Sequence, residues 1–216
     1  MSWLVYCLVE SSSSLVVPQP GVGGASIEAV STAGLSCLVS PFDAADPVGR
    51  ASVRDAALDF HRTLKHILRQ VALVPFRFPT LMESQTEISN FLHQREAEYA
   101  NALSRLRTVV QMEILVSSRS PSSAPASKSS GAEYLRLRKA EHDAMQSEVS
   151  RLQSGLEGLV AGWRCRETGK GTRCYALVDR LQLEAFAKQA AGMQLSSRCD
   201  ARLTGPWPAT EFLDLT

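Results

Sequence analysis

A serine- and proline-rich segment near the middle of the chain is the feature that most constrains its fold. The segment "SSRSPSSAPASKSSG", residues 117–131, consists mainly of serine, proline and alanine. This composition cannot bury enough apolar surface to compensate for the entropy lost on ordering. We therefore predict a flexible loop here, inside a C-terminal domain of residues 107–216 that follows an N-terminal domain of residues 1–106.

Regular apolar patterns flank this loop on both sides. Before it, "VVQMEILV" alternates apolar and polar residues, which predicts a largely half-buried strand. After it, apolar residues recur every three or four positions, which predicts an amphipathic helix over residues 132–158. Ser130 and Glu133 have the spacing of a capping box, so we expect the helix to begin there.

The sequence "VAGWRCRETGKGTRCYALV" predicts a β-hairpin after this helix. With Gly169 and Lys170 as the two turn residues, the register of the hairpin is determined by the turn length. This register places Cys165 opposite Cys174 and Trp163 opposite Ala176 on one face. In a reducing cytosol we expect two thiols rather than a disulfide bond.

The remaining elements complete a recognisable order. Asp179 and Gln182 predict the cap of a short helix that ends at Gly192. Residues 195–203 then alternate between apolar and charged side chains, which predicts a strand. The order β-α-β-β-α-β is that of a ferredoxin-like sandwich, in which two helices cover one face of an antiparallel sheet and the last strand lies at an edge.

The first 106 residues predict a second α+β domain. Residues 2–9 are apolar on both faces and indicate a central strand, and two short strands are expected over residues 26–31 and 35–40. An apolar stripe predicts one helix, Ser84 with Glu87 predicts the cap of another, and "ALVPFRFPT" between them is extended. The polar face of the first helix carries Arg54, His61, Arg62 and Lys65, and it is either a solvated face or a basic patch for a partner.

Charge and hydropathy argue against several kinds of partner. The chain has 23 Lys and Arg against 22 Asp and Glu, a net charge of +1, which is not the electrostatic pattern of a nucleic-acid-binding protein. The predicted strand 109–116 also lacks the aromatic residues with which a ferredoxin-like sheet stacks RNA bases. The apolar run Trp3–Val9 is too short for a signal sequence or a membrane span. We therefore expect a cytoplasmic protein without nucleic-acid or membrane partners.

The sequence carries no pattern typical of catalysis or metal binding. It contains no GxSxG elbow, no P-loop and no HExxH motif. The four histidines are not at ligand spacing, and the five cysteines form an odd set without a CxxC pair, as packed thiols do. We predict a protein that is not an enzyme and that binds no cofactor and no metal.

Three stretches together resemble one known family. "HRTLKHILRQVALVPFRFPTL", then "VVQMEILV" followed by a loop and "EYLRLRK", and finally "LTGPWPATEF" are similar, in this order, to motifs of the gas vesicle accessory proteins of the GvpL/GvpF type. The resemblance covers essentially the whole chain, and its most specific part is Gly-Pro-Trp-Pro near the end. Two departures are Pro79, where the family commonly has Gly, and "ATEF" in place of Pro-Tyr-Ser-Phe.

The resemblance implies a non-enzymatic accessory protein with two α+β domains. Such a protein associates with the small hydrophobic shell subunit and with other accessory proteins while the gas vesicle is built. A soluble partner that shields the apolar face or strand edges of the shell subunit would keep it from aggregating. The alternative function is a ferredoxin-like regulatory or ligand-binding module unrelated to gas vesicles.

The candidate partner-binding residues are those of the two most specific motifs. Each motif either completes the core of its own domain or contacts the shell subunit. Because Arg77 stands between two phenylalanines, we expect its guanidinium to have a carboxylate or carbonyl partner. We expect the tail, residues 204–216, to pack on the second sheet with Trp207 as its anchor. The candidate residues are Pro75, Phe76, Arg77, Phe78, Gly205, Pro206, Trp207 and Pro208.

Overall fold

The computed structural model of the protein describes residues 2–11, 14–42, 52–119 and 131–213. Within these ranges the chain forms two β-sheets and four α-helices, so the α+β class is confirmed. The chain divides into two compact units. The first unit contains Met1–Val109 together with Trp207–Thr216, and the second contains Val110–Pro206.

The sheet of the first unit is built around β1 (Ser2–Glu10), which is buried along most of its length. One edge of β1 pairs with β3 (Leu35–Phe42), and β3 pairs in turn with β2 (Glu28–Ser31). The other edge of β1 pairs with two short strands, β4 (Val74–Pro75) and β5 (Leu81–Met82). The central position of β1 agrees with the apolar residues on both of its faces.

A β-bulge in β1 directs one tyrosine into the protein. The pairing of β1 with β3 shifts between Val5 and Cys7, so that Tyr6 is the extra residue. The Tyr6 hydroxyl lies 3.0 Å from the Ser40 hydroxyl and accepts a hydrogen bond from the Val22 backbone N–H at 2.9 Å. Burial of the fully enclosed side chain raises the pKa of Tyr6.

Two helices of the first unit begin with side-chain caps. Helix α1 (Val53–Leu68) starts with a capping box between Ser52 and Asp55. Helix α2 (Gln85–Leu106) starts after Ser84, whose hydroxyl accepts a hydrogen bond from a backbone N–H of the first turn. The sequence-based prediction of a cap at Ser84 is confirmed.

The two helices cover opposite faces of the first sheet. Val39 of β3 packs with α2, whereas its neighbour Ser40 points to the other face and contacts Tyr6. On that second face the ring of Phe60 in α1 stacks on Tyr6, with ring centroids 5.1 Å apart. The core between the sheet and α2 contains Val5, Leu8, Leu35, Cys37, Val39, Val74, Ile88, Leu92, Tyr99, Ala102 and Leu103.

The second unit contains a four-stranded sheet with two helices. In chain order its elements are β6 (Val109–Ser118), α3 (Gly131–Leu156), β7 (Gly162–Thr168), β8 (Gly171–Asp179), α4 (Leu183–Gly192) and β9 (Cys199–Trp207). The strands lie in the order β7-β8-β6-β9, so that β7 and β9 are the edges. The core contains buried residues from β6, β8, β9 and both helices, and the partly buried Trp163 of β7 packs against it.

The register of the β7–β8 hairpin is the one that the sequence predicts. Trp163 pairs with Ala176 and Cys165 pairs with Cys174, and both pairings are therefore confirmed. The prediction succeeds because a two-residue turn leaves only one register for the flanking strands.

The predicted last strand is wrong by four residues at each end. Residues 195–198 precede the strand instead. The Ser196 N–H donates to the Glu148 carboxylate of α3 at 3.1 Å, and the Ser196 carbonyl accepts from the Cys199 N–H across a turn at Ser197 and Arg198. The strand β9 begins at Cys199 and includes the Gly-Pro-Trp residues that the sequence assigned to the tail. Pro206 is tolerated there because an edge strand has backbone positions that need no N–H donor.

The predicted loop over residues 117–131 overlaps both of the regular elements that flank it. Ser117 and Ser118 belong to β6, and pairing continues beyond them, since the Arg119 N–H donates to the Arg198 carbonyl at 2.7 Å. Gly131 already belongs to α3. Residues 120–130, including Ser130 of the predicted capping box, lie outside the described residues.

Candidate functional site

The first predicted motif, Pro75–Phe78, runs beside the central strand of the first sheet. Pro75 pairs with Cys7, and the Phe76 N–H donates to the Tyr6 carbonyl at 3.0 Å. The Phe76 ring is half-buried and lies 5.8 Å from the ring of Phe91 in α2. The backbone of this motif is thus attached to β1, and its first phenylalanine faces α2.

The second phenylalanine of this motif faces the other helix. The Phe78 ring is half-buried and lies 5.2 Å from the ring of Phe60 in α1. Because Tyr6 stacks on Phe60 as well, three aromatic rings form one continuous cluster under α1. Such ring pairs contribute about 0.5–1.5 kcal/mol each beyond the burial of their area.

Arg77 is exposed, and the expected carboxylate or carbonyl partner of its guanidinium finds no support in the described residues. Its guanidinium has no hydrogen-bond or ion-pair partner among the described residues, and only its backbone carbonyl is used, by the Thr80 hydroxyl at 2.7 Å. The two flanking phenylalanines turn toward opposite helices, which leaves the side chain between them in solvent.

The second predicted motif, Gly205–Pro208, continues the edge strand β9. Gly205 has φ +128°, a backbone conformation that residues with a side chain rarely adopt. A Cβ atom at this position would lie 2.8 Å from the Met112 sulfur and 3.1 Å from the Gln111 carbonyl oxygen of β6. Glycine is therefore required here by both the backbone conformation and the close approach of β6.

Trp207 does not anchor a tail on the second sheet. Its half-buried ring lies 5.1 Å from the ring of His61 in α1 of the first unit. Beyond Pro208, which is half-buried, the chain forms a short 3₁₀ turn, and Leu213 packs against the apolar core next to α2. The prediction that the tail packs on the second sheet is therefore wrong, because the end of the chain makes its apolar contacts within the first unit.

The two motifs, which are distant in sequence, meet at consecutive residues of α1. Phe78 contacts Phe60 on the buried side of the helix, and Trp207 contacts His61 on its exposed side. Both motifs are recognisable in the sequence, but no sequence pattern predicts that they contact the same helix. Helix α1 is thus contacted by one predicted site residue of each motif, Phe78 and Trp207.

An exposed strip of α1 runs along the side that Trp207 contacts. Residues spaced by four, three and four positions share one face of a helix. This spacing relates four exposed residues of α1, and we call them, together with Trp207, the α1 strip: Arg54, Leu58, His61, Lys65 and Trp207. The strip has an apolar and aromatic middle and a basic residue at each end.

Sequence reasoning identified only part of this strip. Leu58 is 48% exposed and lies between the charged residues that the sequence pattern singles out. A leucine on the polar face of an amphipathic helix is the signal that would have revealed it. Arg62, which the sequence grouped with the basic residues, forms an ion pair with Asp59 at 2.6 Å.

Two kinds of feature, metal-binding groups and membrane-spanning helices, are absent from the part of the chain that the structure describes. Among those residues, no group of three or more His, Cys, Asp or Glu side chains could hold a metal ion. Within the same residues, every α-helix is too short or too polar to cross a bilayer.

Comparisons with known proteins agree with the sequence motifs. The family model of the gas vesicle synthesis protein GvpL/GvpF matches residues 2–214. The crystal structure of gas vesicle protein GvpF from Anabaena sp. PCC7120 is similar, with a TM-score of 0.79, 13% identity, and coverage of 100% of this chain and 99% of that chain. That of GvpF from Microcystis aeruginosa has a TM-score of 0.78, 12% identity, and coverage of 99% of both chains. At these identities the likeness shows the fold, and no curated protein matches the chain in sequence.

Proposed function

Because the chain belongs to the gas vesicle synthesis protein GvpL/GvpF family, we propose that it is a non-enzymatic accessory protein that binds the hydrophobic shell subunit during gas vesicle assembly. Family membership supports the gas vesicle role itself. The binding of the shell subunit, and of other accessory proteins, is our proposal. We place this activity in the cytoplasm, at the growing gas vesicle.

One structural observation carries the proposed binding: both family-like motifs converge on α1 beside an exposed apolar strip. Phe78 and Trp207 contact neighbouring residues of the helix, one from each side. In the α1 strip Leu58 is exposed and Trp207 is half-buried, with the exposed Arg54 and Lys65 at its ends. An exposed apolar patch with a polar rim is typical of a protein–protein interface.

The chemistry of this strip suits a shell subunit as the partner. A subunit that presents an apolar wall to gas exposes surface that would aggregate in water, so it requires an apolar contact before assembly. Arg and Trp are the residue types that most often carry binding energy at interfaces. Arg77, whose guanidinium is exposed beside Phe78, adds a possible contact to an acidic group of the partner.

We further propose that the two compact units are two domains and that the second is ferredoxin-like. The element order β6-α3-β7-β8-α4-β9 and the strand order β7-β8-β6-β9 support this assignment. The alternative, a ferredoxin-like regulatory or ligand-binding module unrelated to gas vesicles, has no observation in its favour beyond this topology.

Capture of the shell subunit by matched leucine variants tests the proposed binding. The tagged full-length chain is co-expressed with the shell subunit, and the captured subunit is quantified. Leu58→Asp is expected to reduce capture at least about tenfold, since an interface hot spot contributes 2 kcal/mol or more. Leu181, which is 95% exposed in the second unit, is the matched control, and Leu181→Asp is expected to leave capture unchanged.

The outcomes distinguish whether the chain binds the shell subunit from whether the α1 strip is the surface that binds it. If the parent chain captures no shell subunit, the proposed binding is wrong. If the parent chain captures it and Leu58→Asp does so equally well, the α1 strip is not the binding surface. Circular dichroism of both variants establishes that each is folded before capture is compared.

A further inference from the structure

Two cysteines lie side by side at the edge of the second sheet. The register of the β7–β8 hairpin sets Cys165 directly opposite Cys174, and the two Sγ atoms are 2.9 Å apart. Residues directly opposite on antiparallel strands have Cα atoms about 4.5 or 5.5 Å apart, and disulfide bonds span the same range. Directly opposed positions of this kind are therefore within the Cα range that a disulfide bond spans.

The two thiols have unequal surroundings. Cys165 is exposed on the edge strand β7, whereas Cys174 is fully buried in the core of the second unit. The indole N–H of Trp163 donates to the Cys165 sulfur at 3.1 Å. When Cys165 is a thiolate, the neighbouring S–H of Cys174 donates to it as well, so two donors stabilise the negative charge on the exposed sulfur.

The ionisation of the pair follows this asymmetry. The hydrogen bond from Cys174, and then that from Trp163, outweigh burial and lower the pKa of Cys165 to about 7. The same hydrogen bond, followed by burial, raises the pKa of Cys174. Because the thiolate is the reactive form of cysteine, Cys165 is the nucleophile and Cys174 remains a protonated neighbour.

The other three cysteines lack this combination of features. Cys7 and Cys37 are completely enclosed in the first unit, and Cys199 is buried in the second. Burial raises the pKa of Cys37 to about 12 and that of Cys7 well above its usual range. Reaction with an oxidant is therefore expected at one sulfur of the five.

We propose that Cys165 and Cys174 form a peroxide-reactive dithiol, in which Cys165 is oxidised first and Cys174 closes a reversible cross-strand disulfide. This site goes beyond the proposed function in gas vesicle assembly and does not depend on it. Its substrates are hydrogen peroxide and, for the return step, a dithiol reductant. The product joins the edge strand β7 covalently to β8.

The reaction takes two balanced steps. The Cys165 thiolate attacks one oxygen of hydrogen peroxide, the O–O bond breaks, and hydroxide leaves and takes up a proton to become water. Cys165 is then a sulfenic acid. Next the Cys174 sulfur attacks the Cys165 sulfur, the S–O bond breaks as the S–S bond forms, and the leaving hydroxide takes the Cys174 proton to become a second water. The two thiols lose two electrons and the peroxide gains them.

Peptide mapping of the peroxide-treated protein tests the proposal. The reduced full-length chain is treated with a small excess of hydrogen peroxide, unreacted thiols are blocked, and peptides are identified by mass spectrometry. We expect a linked Cys165–Cys174 peptide with two hydrogen atoms fewer than its parts, reversed by a dithiol. Cys174→Ala is expected to accumulate a sulfenic acid at Cys165, and Cys165→Ser to form no linked peptide. Cys199→Ala is the control and should behave as the parent does.

Alkylation at neutral pH provides a second measurement that does not depend on oxidation. At pH 7 a thiol with a pKa near 7 has roughly fifty times the thiolate fraction of one with a pKa near 9, but its lower nucleophilicity reduces the advantage to on the order of fivefold. Iodoacetamide should therefore modify Cys165 about fivefold more slowly in Cys174→Ala than in the parent. Equal rates, or a peroxide product without the Cys165–Cys174 link, would overturn the proposal.

Discussion

The contact between Trp207 and His61 gives the sharpest test of how the end of the chain is held. Complete burial of a tryptophan makes its truncation cost about 3–5 kcal/mol. Trp207 is only half-buried, so the lost burial is about half as large. Its ring contact with His61 at 5.1 Å is included in this cost and accounts for about 0.5–1.5 kcal/mol of it. We expect Trp207→Ala to lower the free energy of unfolding by about 1.5–2.5 kcal/mol.

A double-mutant cycle isolates the ring contact from the loss of buried area. Urea unfolding is followed by circular dichroism for the parent, His61→Ala, Trp207→Ala and the double variant. The coupling free energy between the two residues should be about 0.5–1.5 kcal/mol. His66, an exposed histidine of α1 that lies five residues from His61, is the matched control, and a His66→Ala cycle with Trp207→Ala should show coupling near zero.

The cycle has a clear refuting result. If the coupling of Trp207 with His61 equals that with His66, the ring contact contributes nothing to stability. If Trp207→Ala in addition leaves the unfolding midpoint unchanged, the tryptophan is not an anchor. In that case its role would be confined to the α1 strip, where only capture of the shell subunit would change.

Two further predictions concern the second unit. Gly205→Ala should lower the free energy of unfolding by about 1–3 kcal/mol, because alanine is strained at φ +128° and its Cβ would crowd Met112 and the Gln111 carbonyl. Thermal unfolding measures this loss, and an unchanged midpoint would contradict the assigned backbone conformation. The hydrogen bond and charge of Arg119 lower the pKa of Asp200. The stabilisation from this exposed pair is therefore present above the unfolded-state pKa of about 3.9, and it is lost as the pH falls through the lower pKa of the folded state. Arg119→Ala should return the pKa of Asp200 toward its ordinary value in an NMR titration, and an unchanged value would argue against the pair.

The β7–β8 hairpin was predictable from the sequence because local chemistry alone determines it. Two turn residues with alternating strands on both sides allow one register, which is why the opposition of Cys165 and Cys174 was foreseen. Their unequal burial was not foreseen, because it depends on which strand lies at the edge of the sheet. That depends on long-range pairing of β8 with β6.

The predicted last strand stops at Leu203, where the alternation of apolar and polar residues ends, and leaves the Gly-Pro-Trp residues in the tail. In β9 they are compatible with the strand, since Gly205 fits close to β6 and Pro206 lies in an edge strand. The candidate site shows the same limit of local reasoning. Its motif residues could be named from the sequence, but the meeting of Phe78 and Trp207 at α1 joins segments well over a hundred residues apart, and no periodicity encodes such a contact.

The return of the chain end to the first unit determines when that unit can be completed during synthesis. Domains generally fold as they emerge from the ribosome, the N-terminal one first. Here the first unit also requires Trp207 against His61 and Leu213 against its core, and both residues are translated after the whole of the second unit. In a nascent chain that stalls before residue 207, the apolar surface that Trp207 and Leu213 would cover is therefore still exposed. The first unit can be completely folded only after the second unit has been translated.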